Sequence, residues 1–224
     1  MGQPHPWQHS KGLLRVNLLL RAIKRLQGQS RRIRLPFTAD LIFLMYSTLK
    51  ADVFDPFTDV LMQSVILLAF FGFLRCGEFT INSNRFDRSA HLCIEDISFE
   101  GDTQAFLRLK SSKTDPFRKG VLIKFFQNHR MCPVATILQY LSLRQAMVPK
   151  PTFGDPLFVS KDNRPLTRST FLTYLHRILS VLGIDSSRYS GHSFRIGAAT
   201  SAATAGIPDH MIKTLGRWNS DTYY

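Results

Sequence analysis

Residues 191–218 read GHSFRIGAATSAATAGIPDHMIKTLGRW, and the fold is read outward from this stretch. Small and apolar residues predict one helix over 193–205 and a second over 208–215. Gly206 suits the end of the first, because glycine tolerates a left-handed backbone, and Pro208 suits the first turn of the next. His192 and Arg195 stand three residues apart at the front of the first helix, so they share a face. Taken alone, the stretch has two readings. One is half of a polar site; the other is a noncatalytic helix-turn-helix with a structural histidine and a core-anchoring Trp218.

Upstream the pattern is helical except in one place. Thr38 caps a predicted helix to about residue 49, with Asp40 in its first turn. A largely buried helix follows over 58–74. From His91 the pattern turns β-like, in runs over 92–99, 103–109 and 121–126, with turns at Gly101-Asp102 and over 113–120. Helices over 133–147 and 167–182 then lead back to residue 191. The prediction is a mainly helical protein carrying a small three-stranded antiparallel sheet.

Charge narrows the function. Lys and Arg number 29 against 16 Asp and Glu, a net +13, which points to a polyanionic partner such as DNA or RNA. Between residues 11 and 34 there are basic residues and no acid, with Leu14, Leu18, Ile23 and Leu26 in helical spacing. That reads as a basic amphipathic helix to about Gln27, a break at Gly28 to Ser30, and a basic linker able to track phosphates or simply to be solvated. The longest apolar run, 65–74, is about half a membrane span, so no membrane is expected, and the first residues do not resemble a signal peptide. Cys76, Cys93 and Cys132 are far apart without a CxxC pair, which suits a reducing intracellular setting and predicts neither zinc site nor disulfide framework.

Two further segments join residues 191–218. Phe73-Leu74-Arg75-Cys76-Gly77-Glu78 places an arginine at the end of an apolar helix, with Glu78 three residues on. Lys110-Ser111-Ser112-Lys113-Thr114-Asp115 closes a strand. Each has an ordinary reading as well: Arg75 as a solvated helix cap, Lys113 as a hairpin lysine, with Lys110 competing for any chemical role.

In the order Arg, Lys, His-x-x-Arg and Trp, the chain resembles the tyrosine recombinases, the family of the phage integrases, the Xer proteins and Cre. Its wording around Gly191 to Arg195 and Leu215 to Trp218 is most similar to the eukaryotic Crypton and DIRS transposon recombinases. The resemblance covers residues 36–224 as the catalytic domain, with residues 1–35 as the end of a DNA-clamping domain and its basic linker. It implies DNA integration or excision for a transposon, in the nucleus, by an oligomer assembled on duplex DNA. It also implies roles. Arg75 and Arg195 would fork onto the nonbridging oxygens of the scissile phosphate, where a planar and permanently charged group suits the charge gained in the transition state. Lys113 would protonate the departing 5′ oxygen, and His192 would accept a proton or donate a hydrogen bond. Trp218 would donate its indole N–H to phosphate. No metal or other cofactor is needed, since these side chains supply the positive charge.

The nucleophile fits less well. The family's tyrosine follows the His or Trp position by about eight or nine residues, whereas Tyr223 and Tyr224 follow Trp218 by five and six. The expectation is therefore a chain truncated at its C-terminus, with Tyr224 as the stand-in nucleophile. A nicking and closing activity like that of type IB topoisomerases, and a DNA-binding relic without catalysis, are the competing functions.

Overall fold

The computed structural model of the protein describes residues 16, 18–20, 22, 23, 34–82, 85–110, 120–147 and 149–218. The chain forms two compact units, residues 1–33 and 34–224. In the first, the described residues are helical and exposed. The basic residues predicted to line that helix and linker, Lys11, Arg15, Arg21, Lys24, Arg25, Arg31 and Arg32, lie outside the described residues.

The second unit is built on one buried helix. Helix α1 spans Ala39–Thr48, with Thr38 accepting from Leu41 N as predicted. Helix α2 spans Pro56–Phe71, and every residue from Thr58 to Phe70 is buried. It starts before the predicted residue 58 because Asp55 is the better cap: its carboxylate accepts Thr58 N and Thr58 Oγ1 (3.3 and 2.7 Å), and Pro56 presets the first helical turn. Ser64 is a polar residue inside this apolar helix, and its hydroxyl is paired, facing Val60 O and Thr136 O at 2.8 and 3.0 Å. Helices α1, α4 (Pro133–Gln145) and α6 (Ser193–Thr204) pack around α2.

Strands β1 (Ile97–Glu100), β2 (Gln104–Leu109) and β3 (Val121–Phe126) form one antiparallel sheet in that order. Its inner face carries Ala105, Leu107, Leu109 and Phe125 into the core, while Leu122, Lys124 and Phe126 stay exposed, the alternation expected of a half-buried sheet. The first strand is shorter than the predicted 92–99. Asp96 takes Cys93 N at 2.7 Å, which closes residues 94–96 into a tight turn ahead of Ile97. Helix α5 spans Arg168–Val181, with Thr167, the predicted first residue, serving as its cap, and α7 spans Asp209–Gly216. Between α2 and the sheet, the short helix α3 (Cys76–Phe79) follows Arg75. The chain is thus mainly helical with a three-stranded antiparallel sheet, as its sequence predicts.

Candidate active site around the Phe73 carbonyl

The candidate site sits where two helices end in the same way. At the end of α2, Leu74 N donates to Ala69 O (2.9 Å) and Phe73 N to Phe70 O (3.2 Å). At the end of α7, Trp218 N donates to Lys213 O (3.1 Å) and Arg217 N to Thr214 O (3.0 Å). Both are the paired bonds of a helix stop whose closing residue is left-handed, normally glycine. Here those residues are Phe73 (φ 50°) and Arg217 (φ 56°). Each costs about 1–2 kcal/mol of backbone strain, a cost that tends to collect at functional sites. The α2 stop is why the predicted helix to residue 74 ends at Phe71, and why Arg75 opens α3 instead of closing α2.

The left-handed turn exposes the last carbonyls of α2, the negative end of its dipole, to two guanidiniums. Arg195 Nη1 donates to Phe73 O at 2.9 Å. Arg217 donates to Gly72 O at 3.0 Å and to Phe73 O at 3.1 Å. Glu78 joins the third arginine: Oε1 takes Arg75 Nη1 at 2.9 Å, and Oε2 takes Arg75 N at 2.8 Å and Arg217 Nη2 at 3.0 Å. So Glu78 does hold Arg75, and it holds Arg217 as well. Among the described residues, three guanidiniums share one carboxylate, which leaves two positive charges in excess.

Arg195 is the most constrained of the three. It is buried, and its guanidinium lies 4.0 Å from the centre of the Trp218 ring. Its Nη2 has no acceptor among the described residues. Burial, then the nearby Arg75 and Arg217 charges, push its pKa down to about 9, with Glu78 opposing. Burial also lowers Arg217, again opposed by Glu78.

Glycine packing holds these segments in register. A side chain at Gly191 would collide with Cys76 Cβ and Sγ, so the Arg75 and Arg195 segments touch only because residue 191 has none. Gly216 lies against the Trp218 ring in the same way; it stays helical, and Arg217 takes the left-handed position that would suit glycine better.

The structure thus brings Arg75, Arg195 and Trp218 together. His192 is the exposed residue ahead of the first turn of α6, three positions before Arg195, with its backbone N–H on Ser190 Oγ at 3.3 Å. Lys113, Tyr223 and Tyr224 lie outside the described residues. Lys110, the competing lysine, is described and fully engaged: Nζ reaches Asp96 (2.7 Å), Arg88 O (2.8 Å), Cys93 Sγ (2.9 Å) and His91 O (3.1 Å). Burial alone would lower its pKa, but the Asp96 and Cys93 contacts outweigh that and raise it, so this lysine is held protonated. Arg217 escaped the sequence reading, which took only Trp218 from that segment. The usable signal was an arginine directly after a helix-ending glycine and directly before Trp218.

The phage integrase family model matches residues 85–223, more than half of the chain. The chain belongs to the phage integrase family. It is 25% identical over 211 residues to an integrase/recombinase xerD homolog from Selenomonas ruminantium, an alignment covering 92% of this chain and 57% of that protein. Among solved structures it resembles the XerH site-specific recombinase bound to its difH substrate (TM-score 0.63, 15% identity, 85% of this chain and 49% of that one). It also resembles the Tn1549 transposon integrase in complex with circular intermediate DNA (TM-score 0.55, 14% identity, 88% and 62%). The chain therefore spans about half the length of such relatives, and what it shares with the two structures is the fold of the tyrosine recombinase catalytic domain.

Proposed function

We propose that the protein is a site-specific recombinase that cuts and rejoins duplex DNA through a 3′-phosphotyrosyl intermediate. Its setting would be the integration or excision of a eukaryotic transposon of Crypton or DIRS type, in the nucleus, by an oligomer assembled on DNA. One observation carries this reading: a buried arginine with an unpartnered N–H, fixed by a backbone carbonyl and an aromatic face, in a cluster with two surplus positive charges. Such a group suits a phosphate oxygen whose charge grows in the transition state.

In this reading Arg75 and Arg195 grip the nonbridging oxygens, and Trp218 backs Arg195. Lys113 gives a proton to the leaving 5′ oxygen, a role for which Lys110, with its hydrogens already engaged, is ill suited. His192 exchanges a proton with the attacking phenol, and Tyr224 stands in for the nucleophile. Residues 1–35 serve as the end of the DNA clamp, and residues 36–224 as the catalytic domain.

A nicked suicide duplex tests this on a denaturing gel, comparing this chain with one continued through the next tyrosine of its gene. The expected result is a covalent adduct from the longer chain and little from the shorter. An adduct from the shorter chain that disappears in Tyr224→Phe would instead make Tyr224 the nucleophile. DNA binding without an adduct from either would leave a binding relic.

A further inference from the structure

We infer that Arg217 is a positioning residue of this site: it occupies the acceptors that would otherwise draw Arg195 away, and so reserves the Arg195 guanidinium for a DNA phosphate. The inference rests on the phosphate-binding reading above. It starts from how the acceptors are shared. Glu78 is the only carboxylate bonded to these arginines among the described residues. Its two oxygens are taken by Arg75 Nη1, Arg75 N and Arg217 Nη2. Gly72 O is taken by Arg217 Nη1, and Phe73 O is shared between Arg195 and Arg217. Arg195 is left with one bond, which fixes its direction, and with Nη2 unpartnered.

The Arg217 fork, by contrast, is committed to protein. Its side chain is 11% exposed and bonds the Gly72, Phe73 and Leu215 carbonyls and the Glu78 carboxylate, with only Nε left without a partner among the described residues. A cation so held cannot turn toward a ligand without giving up those bonds. Its charge also matters. A positive group fixed beside Glu78 weakens the pull of that carboxylate on Arg195, consistent with Arg217 acting against protonated Arg195. Position and charge together keep Arg195 off Glu78. The left-handed backbone of Arg217 seats the fork at the right place, directly under the α2 carbonyls.

Two variants separate these contributions. Arg217→Gly keeps the turn, because glycine accepts the left-handed conformation without strain, and removes the fork. Arg217→Lys keeps the charge but lacks the planar fork that bridges those carbonyls and the carboxylate. The first readout is nitrogen-15 NMR of the arginine guanidiniums in the protein without DNA. In Arg217→Gly, the Arg195 guanidinium becomes bonded to Glu78 and its rotation slows, and it returns to parental behaviour in Glu78→Gln/Arg217→Gly. Parental Arg195 rotation in Arg217→Gly would overturn the inference whatever DNA does.

The second readout is affinity for a short duplex, reported by Trp218 fluorescence in a Trp7→Phe background, which leaves Trp218 as the only tryptophan. Arg217→Lys and Arg217→Gly should each bind about tenfold more weakly, the scale of one lost hydrogen bond to a charged group. The Glu78→Gln double variants should recover most of that loss. A purely structural Arg217 would give double variants weaker still, and that result would also overturn the inference. If the parent chain fails to bind duplex at all, the recombinase reading falls, while the NMR comparison still decides the role of Arg217.

Discussion

Among the described residues the two most deeply buried arginines are Arg144 on α4 and Arg195 on α6, and their surroundings give opposite meanings to the same side chain. Arg144 donates to Leu157 O at 2.7 Å and sits 3.5 Å from Tyr140 Oη, which itself takes Val159 N and donates to Leu157 O. No carboxylate and no second arginine is bonded to it among the described residues. Its work is to tie α4 to the strand-like segment at Leu157 and Val159. Arg195 also donates to one carbonyl and also keeps one unpartnered nitrogen. There, however, two more arginines, a carboxylate and a strained turn surround it. Burial by itself does not mark a functional arginine. Concentrated like charge around it is what makes Arg195 the candidate for holding an anion.

The comparison breaks most sharply by substitution. Arg195→Ala in a chain that forms the phosphotyrosyl adduct should reduce adduct formation by about 10²–10³-fold, the scale of removing one donor to transition-state charge. Its melting temperature should change little, because a desolvated cation flanked by two others goes with it. Arg144→Ala should do the reverse. Losing the clamp and leaving a cavity costs about 2–4 kcal/mol, seen as a lower denaturation midpoint, while the folded fraction binds DNA normally. Arg144→Met fills the same volume and should recover most of that stability, since buried ions are often replaceable by apolar side chains. If Arg195→Ala proves the less stable variant and Arg144→Ala the inactive one, the two assignments are exchanged.

The difference also explains what the sequence could tell. The three-stranded sheet was legible because alternation and turn residues are local signals, and α1 because Thr38 is a cap in sequence as in structure. The ends of α2 were not. Asp55-Pro56 outbids Thr58 as a start, and the stop depends on Phe73 taking a left-handed conformation that its residue type disfavours. Arg75 and Arg195 could be picked out by motif order, yet nothing local distinguished Arg144, which the net charge of +13 counts equally. Arg217 was hidden because its role is defined by carbonyls 144 and 145 residues earlier in the chain.

The smallest expected effect is one of pH. Arg195 has its pKa pushed down to about 9, so folding places a cation where burial disfavours it. For a base depressed on folding, the unfolded chain binds more protons between the folded and unfolded pKa values. The destabilisation by Arg195 is therefore fully present below about pH 9 and is relieved as pH rises through that value. Binding runs the other way. As Arg195 loses its proton it loses its attraction for phosphate, so duplex affinity should weaken several-fold between about pH 8 and 10, before most lysines titrate. Bound phosphate favours the protonated form, so the step in the complex lies higher than in the free protein. A fluorescence titration of duplex binding across this range, run in parallel on the parent and on Arg195→Met, isolates the effect. The parent should show the alkaline step and the variant should not. An identical step in both would assign it to surface lysines and remove the electrostatic distinction between Arg195 and Arg144.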